Sequence, residues 1–464
     1  MPLTLRFVSW LLAATAGTAA AQGLPPEIEA ALVRAKLPRD AVTLLVTDVD
    51  AKAAPRLSHR AGVPVNPASV AKLATTFAAL ELLGPAYTWP TAVMLDGPVQ
   101  NGVLQGNLVV RGQGDPKLVV ERLWLLLRRV QGLGVRQISG DIVLDHSAFE
   151  AVAQDPGAFD GEPLRPYNAA PDALLINFKS LVLTFTPQGN QALVHLEPPM
   201  ARLQLPATVP LTAGECGDWR AGLKADFSDP AQIRLAGGYP AACGERVWPV
   251  AYADPASYAA RAVGGLWQAL GGKLDGQVRD GKAPAAFKPA FEIASPPLAE
   301  VVRDINKYSN NVMAQQLFLT LSLQQKGTGT VESSRELMRG WWRDRLGPDV
   351  PAFDNGSGLS RESRISAQQL ARLLQAAWVS PLMPELVSSL PIAGIDGTLR
   401  KARGRGAGLA HLKTGSLRDV AAVAGYVHAA SGRRYVLVAI ANHANAAALR
   451  PVIETLLDWT ARDQ

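Results

Sequence analysis

Hydrophobic and polar positions along the 464 residues change period several times, and the changes mark out the elements. The run 41–49 (AVTLLVTDV) is rich in β-branched residues and predicts a strand. Val65-Asn66-Pro67-Ala68 leads into a helix predicted over 69–83, which Gly84-Pro85 ends. Ala71, Leu73, Ala74, Phe77, Ala78, Leu80 and Leu82 make that helix apolar nearly all round, so it is expected to be buried, with its first turn held rigidly. From about Trp89 the texture turns to short β-type runs, 106–110 and 142–144, with a helix predicted over 119–132 between them.

Farther on, 181–186 and 192–196 flank Pro187-Gln188-Gly189-Asn190 and read as a hairpin. The stretch 198–249 is rich in Pro, Gly and Ala, holds both cysteines, and predicts a small β-rich lobe. Helical period returns at 298–302, continues through 308–323, and recurs at 334–346 and 366–378. The end alternates again: 412–416, 423–428 and 434–440 predict successive antiparallel strands, and 447–460 a closing helix. There is no tandem repeat or low-complexity linker.

Composition alters this picture little. With 48% hydrophobic and 19% charged residues the chain is a folded one, and its length suggests roughly two to four domains. A net charge of +6 favours loose attraction to a cell-wall polymer or lipid headgroups. No Lys/Arg run, zinc-finger spacing or aromatic RNA-binding motif accompanies it, so no nucleic-acid partner is expected. Arg6 precedes the apolar run 7–14 and then the small residues Ala19-Ala20-Ala21, the pattern of a secretory signal peptide (1–21) that directs the protein to the periplasm. That run is too short to cross a bilayer, and no later stretch approaches ~20 apolar residues, so no transmembrane anchor is expected. In an oxidising compartment the only two cysteines, Cys216 and Cys243, predict one structural disulfide. Neither has a histidine at ligand spacing, and no metal or cofactor is expected.

The candidate chemistry starts at Ser69-Val70-Ala71-Lys72. A Ser and a Lys three residues apart share one helical face, and a serine becomes a nucleophile when a neighbouring base takes its proton. Alone, this motif would more often be a capped helix start. Ser309-Asn310-Asn311 alone is most often a turn, and Lys413-Thr414-Gly415 a strand end before a bend. Their joint presence, in this order, reverses that expectation. No Gly-X-Ser-X-Gly elbow and no His-Glu-X-X-His is present, which removes the α/β-hydrolase and metalloprotease readings. Arg111-Gly112-Gln113-Gly114-Asp115 lacks the third glycine of a nucleotide loop. His411 shares a strand face with Lys413 and reads as structural.

The three motifs resemble those of the penicillin-recognising serine enzymes. With 354–361 (DNGSGLSR), 394–399 (GIDGTL), 111–116 (RGQGDP) and the long interval between the first two motifs, the mature chain is similar to one family. This is the class C low-molecular-mass penicillin-binding proteins, D-alanyl-D-alanine carboxypeptidase/endopeptidases of peptidase family S13. The resemblance implies an α/β (α+β) transpeptidase-like domain, an antiparallel sheet flanked by helices, split over 22–91 and 289–464. Two insertions are expected, one over 92–178 and 253–288 and a small β-rich one over 179–252.

It also implies an exported hydrolase acting on peptidoglycan stem peptides and crosslinks, with β-lactams as inhibitors. Ser69 would attack the D-alanyl-D-alanine carbonyl to form an acyl-enzyme. Lys72 is the candidate base, the identity of the proton acceptor staying open. Ser309 would relay a proton to the leaving amine, and Asn311 would hold the substrate backbone or Lys72. Lys413 and Thr414 would receive the substrate carboxylate, and Gly415 would let the substrate lie close along the strand. The backbone N–H groups of Ser69 and Ser416 would form the oxyanion hole. Segment 354–361 reads as a structural loop with Arg361 at the cleft, and Asp160 or Asp172 is a candidate contact for a substrate amine. A β-lactamase of the same superfamily and a non-catalytic wall-binding scaffold are the alternatives.

Overall fold

The computed structural model describes residues 23–463 except 153 and 287. The proposed signal segment 1–21 lies outside the described residues. The central sheet is five-stranded and antiparallel and draws on both ends of the chain, in the order Ala410–Leu417, Val420–His428, Arg434–Asn442, Val42–Asp48, Leu57–His59. Its middle strands are buried on both faces, and side-chain alternation divides their residues between two cores. Val436, Val438 and Ile440 join Leu370 and Leu374 of the helix Ala367–Trp378 and most of the buried helix Lys72–Leu83. Leu437, Ala439 and Ala441 face the other way, onto Ile28 and Leu32 of Pro26–Arg34 and Val452 and Leu456 of Leu449–Ala461. The fold is therefore a mixed α/β one with helices on both sides of an antiparallel sheet, as expected.

Between the strands of this sheet the chain builds further ones. A five-stranded mixed sheet runs Val278–Asp280, Ile142–Asp145, Asn107–Arg111, Pro90–Asp96, Phe291–Ala294. Another, Tyr239–Pro240, Thr208–Thr212, Gln191–Glu197, Ser180–Gln188, Arg246–Ala251, contains the predicted hairpin, with Gln191 opposite Gln188. Cys216 and Cys243 are disulfide-bonded there. Among the described residues no helix is long and apolar enough to cross a membrane.

Three differences from the predicted elements bear on the site. The helix predicted from 69 begins as a 3-10 turn, Ala68–Ala71, before Lys72–Leu83. The helical run through 298–323 is two helices, Leu298–Tyr308 and Asn311–Lys326, broken at Ser309 in the left-handed region (φ 58°, ψ 38°). Val331–Leu346 starts three residues ahead of 334, because the Thr330 hydroxyl caps it by accepting from the Ser333 N–H.

Candidate active site

Ser69 sits on a turn that its neighbours hold from several sides. Ala68 has φ 46°, a strained conformation for a residue with a Cβ. Its N–H donates to Asn66 Oδ1 at 2.9 Å, while Asn66 Nδ2 donates to the Ser360 carbonyl at 2.9 Å. Asn442 clamps the Asn66 backbone, accepting from its N–H at 2.8 Å and donating to its carbonyl at 3.0 Å. The 3-10 turn then aligns Ser69 with Lys72, since positions three apart eclipse in that geometry.

Lys72 is fully buried, and its Nζ meets three oxygens: Ser69 Oγ at 2.9 Å, Asn311 Oδ1 at 2.7 Å and the Ser357 carbonyl at 2.5 Å. Burial, and then the charge of Lys413, hold its pKa well below the ordinary lysine value. Two of the three oxygens can only accept. A neutral Lys72 amine has two N–H bonds, which suit Asn311 Oδ1 and Ser357 O and leave the nitrogen lone pair to accept from the Ser69 hydroxyl. The arrangement can thus take a proton from Ser69 without moving a heavy atom.

Lys413 repeats the pattern with the other serine. It too is fully buried, donates to Ser309 Oγ at 2.9 Å and to the Thr414 carbonyl at 2.6 Å, and has its pKa lowered by burial to about 7. The left-handed kink at Ser309 brings its hydroxyl to Lys413, and Asn310 restarts the helix by accepting from the Met313 N–H at 3.0 Å. Thr414 Oγ1 is 2.7 Å from Thr398 Oγ1. Ser69, Ser309, Asn311, Thr414, Gly415 and Ser416 line one cleft of about 1560 Å³, and each lysine lies behind its serine.

The family model described as D-Ala-D-Ala carboxypeptidase 3 (S13) matches residues 24–463. The chain belongs to that family. A D-alanyl-D-alanine carboxypeptidase of Actinomadura sp. is 28% identical over 455 residues, 93% of this chain and 83% of the relative. The D-alanyl-D-alanine carboxypeptidase DacB of Haemophilus influenzae is 26% identical over 403 residues, 81% of this chain and 80% of the relative. The crystal structure of penicillin-binding protein 4 (dacB) from H. influenzae shares the fold, with TM-score 0.75 at 22% identity, covering 94% of this chain and 99% of that one. The chain is accordingly an enzyme of the D-Ala-D-Ala carboxypeptidase class.

In this S13 chain the cleft brings Ser69, Lys72, Ser309, Asn311 and Lys413 together. Sequence reasoning missed Ser357, whose carbonyl receives Lys72. Segment 354–361 is thus structural and also part of the site: a Cβ on Gly358 (φ 74°) would lie 2.0 Å from the Ala68 carbonyl, and only glycine lets this loop reach the Ser69 turn. Gly415 is explained similarly. Its Cβ would come within 2.9 Å of Pro67 O and Ser69 N, so the crowding is against the Ser69 turn rather than against substrate. Asp160 and Arg361 line the cleft, Arg361 lying over the Phe159 ring and pairing with Asp419 at 3.1 Å. Asp172 does not line the cleft. It is engaged by His146 and by Lys179 at 2.9 Å. His411 packs its ring near that of His428, with the centroids 5.7 Å apart.

Proposed function

We propose that the protein is an exported, periplasmic serine peptidase that removes D-alanine from stem peptides and also opens D-alanyl crosslinks, through an acyl-Ser69 intermediate. The single observation that carries the mechanism is the bonding of Lys72, whose two obligate acceptors orient its lone pair toward Ser69. Ser69 Oγ attacks the D-alanyl carbonyl as its proton passes to Lys72 Nζ, and an ester forms. The backbone N–H groups of Ser69 and Ser416 face the developing oxyanion. The C–N bond breaks as the proton held by Lys72 passes to the leaving amine through Ser309, which Lys413 polarises, and Lys72 is neutral again. Water then hydrolyses the ester.

Lys413 with Thr414 receives the carboxylate beside the scissile bond, where a buried cation and a hydroxyl match an anion. Asp160 is the candidate for a substrate amine, because its carboxylate opens on the cleft while Tyr167 OH and Asn168 Nδ2, each at 2.8 Å, fix it. Endopeptidase action draws support from the shared fold with the predatory endopeptidase Bd0816 of Bdellovibrio bacteriovorus, TM-score 0.53 at 16% identity. Acylation by β-lactams is supported by the H. influenzae fold relative, whose structure complexed with a β-lactam has TM-score 0.71 to this chain. The inserted sheets over 92–288 form the wall opposite the central sheet in this reading.

Labelled penicillin should mark the wild type and leave S69A unmarked, and the wild type should release D-alanine from a muropeptide pentapeptide. Equal labelling of both proteins would remove Ser69 as nucleophile. Turnover of a chromogenic cephalosporin at many cycles per second would favour a β-lactamase instead.

A further inference from the structure

The cleft carries more positive charge than the reaction at Ser69 uses. Five of its lining residues are cationic and two acidic: Arg361, Arg400, Lys401, Arg418 and Arg450 against Asp160 and Glu454. Some of these are paired, Arg361 with Asp419 at 3.1 Å and Arg450 with Glu454 at 3.6 Å. Arg400 and Lys401 are exposed and have no ion-pair partner among the described residues. Their place in the fold is defined. The turn Gly397–Leu399 holds Thr398 against Thr414, Arg400 follows it directly, and Arg450 Nη2 donates to the Lys401 carbonyl at 2.8 Å. This pair therefore lines the cleft directly beside the Thr398–Thr414 hydroxyls. The chain continues its positive run there with Arg403 and Arg405, both exposed.

We propose that Arg400 and Lys401 form a leaving-group subsite that binds the free carboxylates of the second stem peptide when the substrate is a crosslink. The inference rests on the endopeptidase reading above and adds a specificity to it. When D-alanine departs, nothing extends past the Lys413–Thr414 pair. When a crosslink is cut, the departing amine belongs to a whole stem peptide, one of whose carboxylates takes that pair while the others continue toward Arg400 and Lys401. Two unpaired cations at an open rim attract such an anion without the desolvation cost of a buried pair. The subsite distinguishes acceptor stems whose carboxylates are free from those in which they are amidated.

The test uses the mature full-length enzyme with crosslinked muropeptide dimers, free or amidated on the acceptor stem, and uncrosslinked pentapeptide, for wild type and R400Q/K401Q. The expected result is a five- to tenfold fall in the ratio of dimer to pentapeptide kcat/KM in the double variant, carried by KM, as two exposed charge pairs would give. Wild type should lose a similar factor on the amidated dimer, and the variant should not discriminate between the two dimers. Raising ionic strength should erase the wild-type preference. An unchanged ratio, or equal discrimination by both proteins, overturns the subsite while leaving the endopeptidase reading intact. Absence of dimer cleavage by wild type, with pentapeptide turned over, overturns the endopeptidase reading and the subsite with it.

Discussion

Replacing Asn311 by aspartate tests the assignment of Lys72 as base more sharply than deleting either residue. N311D keeps the shape of the side chain and puts a carboxylate oxygen where Oδ1 now lies, 2.7 Å from Lys72 Nζ. The donor it removes matters little, since Asn311 Nδ2 reaches the Tyr167 carbonyl only at 3.5 Å. An added unit charge about 4 Å from the ammonium centre, at an effective dielectric near 20, favours the lysine cation by about 4 kcal/mol. That is about three pKa units upward, opposed to the depression that burial and Lys413 impose. A larger share of Lys72 then stays protonated, and in that form its third N–H points at Ser69 Oγ and the lone pair is gone. The second-order rate of acylation by fluorescent penicillin, measured from pH 5 to 10, should fall about a hundredfold or more at pH 7. The acidic limb of the profile should move upward by about two to three units, with activity recovering toward pH 10. Thermal unfolding should show the variant folded, because the new pair is opposite in charge. A loss of equal size at every pH, with the limb unmoved, would falsify the base assignment and leave Asn311 a positioning group.

G358A should lower acylation severely and cost about 2–4 kcal/mol of stability in urea unfolding, because the new Cβ lies 2.0 Å from the Ala68 carbonyl at φ 74°. A fully active, equally stable variant would show that the loop does not support the Ser69 turn. K413M should change the pH dependence of stability: with its pKa lowered by burial to about 7 from the ordinary lysine value of 10.5, Lys413 leaves the unfolded chain holding more protons between those values. Wild-type stability should therefore rise with pH through that window by up to about 5 kcal/mol relative to K413M, and parallel urea-midpoint curves would refute the depressed pKa. Replacing Cys216 and Cys243 by serine opens a bridge between residues 27 apart in sequence. It should cost about 3–4 kcal/mol in the unfolding of the small sheet while penicillin acylation persists, and loss of acylation in a folded variant would tie that sheet to the site.

The site was legible where function rests on side chains. Ser69, Lys72, Ser309, Asn311 and Lys413 each offer a chemical group that no neighbour can supply, and they meet as the motif order implied. Ser357 was hidden because it contributes a carbonyl, which every residue has; the only signal was the pair of flanking glycines, both at positive φ. The break at Ser309 was hidden for another reason. Apolar period runs through 298–323 without Gly or Pro and so predicts one continuous helix, although Ser309-Asn310-Asn311 reads by itself as a turn; in the structure that turn prevails, with Ser309 held by Lys413. The helix Tyr258–Ala269 escaped prediction because Gly264-Gly265 reads as a breaker. In the structure the second glycine is a packing choice, since a Cβ there would lie 2.2 Å from the Pro199 carbonyl.

One helix joins these pieces into a single device. Asn311–Lys326 presents Asn311 to Lys72 at its first residue, and Gln316 then donates to the Asp172 carbonyl at 2.8 Å and accepts from the Asp172 N–H at 2.7 Å. Farther along, Thr320 accepts from Trp89 Nε1 at 2.9 Å, where the chain leaves for the inserted sheets. Gln316, Thr320 and Trp89 are buried, and parting them would strand polar groups at about 1–3 kcal/mol each. His146 strengthens the joint. Burial disfavours its protonation, but the hydrogen bond and charge of Asp172 outweigh this and raise its pKa, so the His146–Asp172–Lys179 cluster gains charge-paired character as pH falls toward the histidine range. Inserted sheets tied in this way cannot swing over the cleft without disturbing the helix that positions Asn311. In the proposed reading, selection among substrates therefore falls to fixed groups on the cleft wall, Asp160 on the inserted side and Arg400 with Lys401 beside the Thr398–Thr414 pair, rather than to a closing lid.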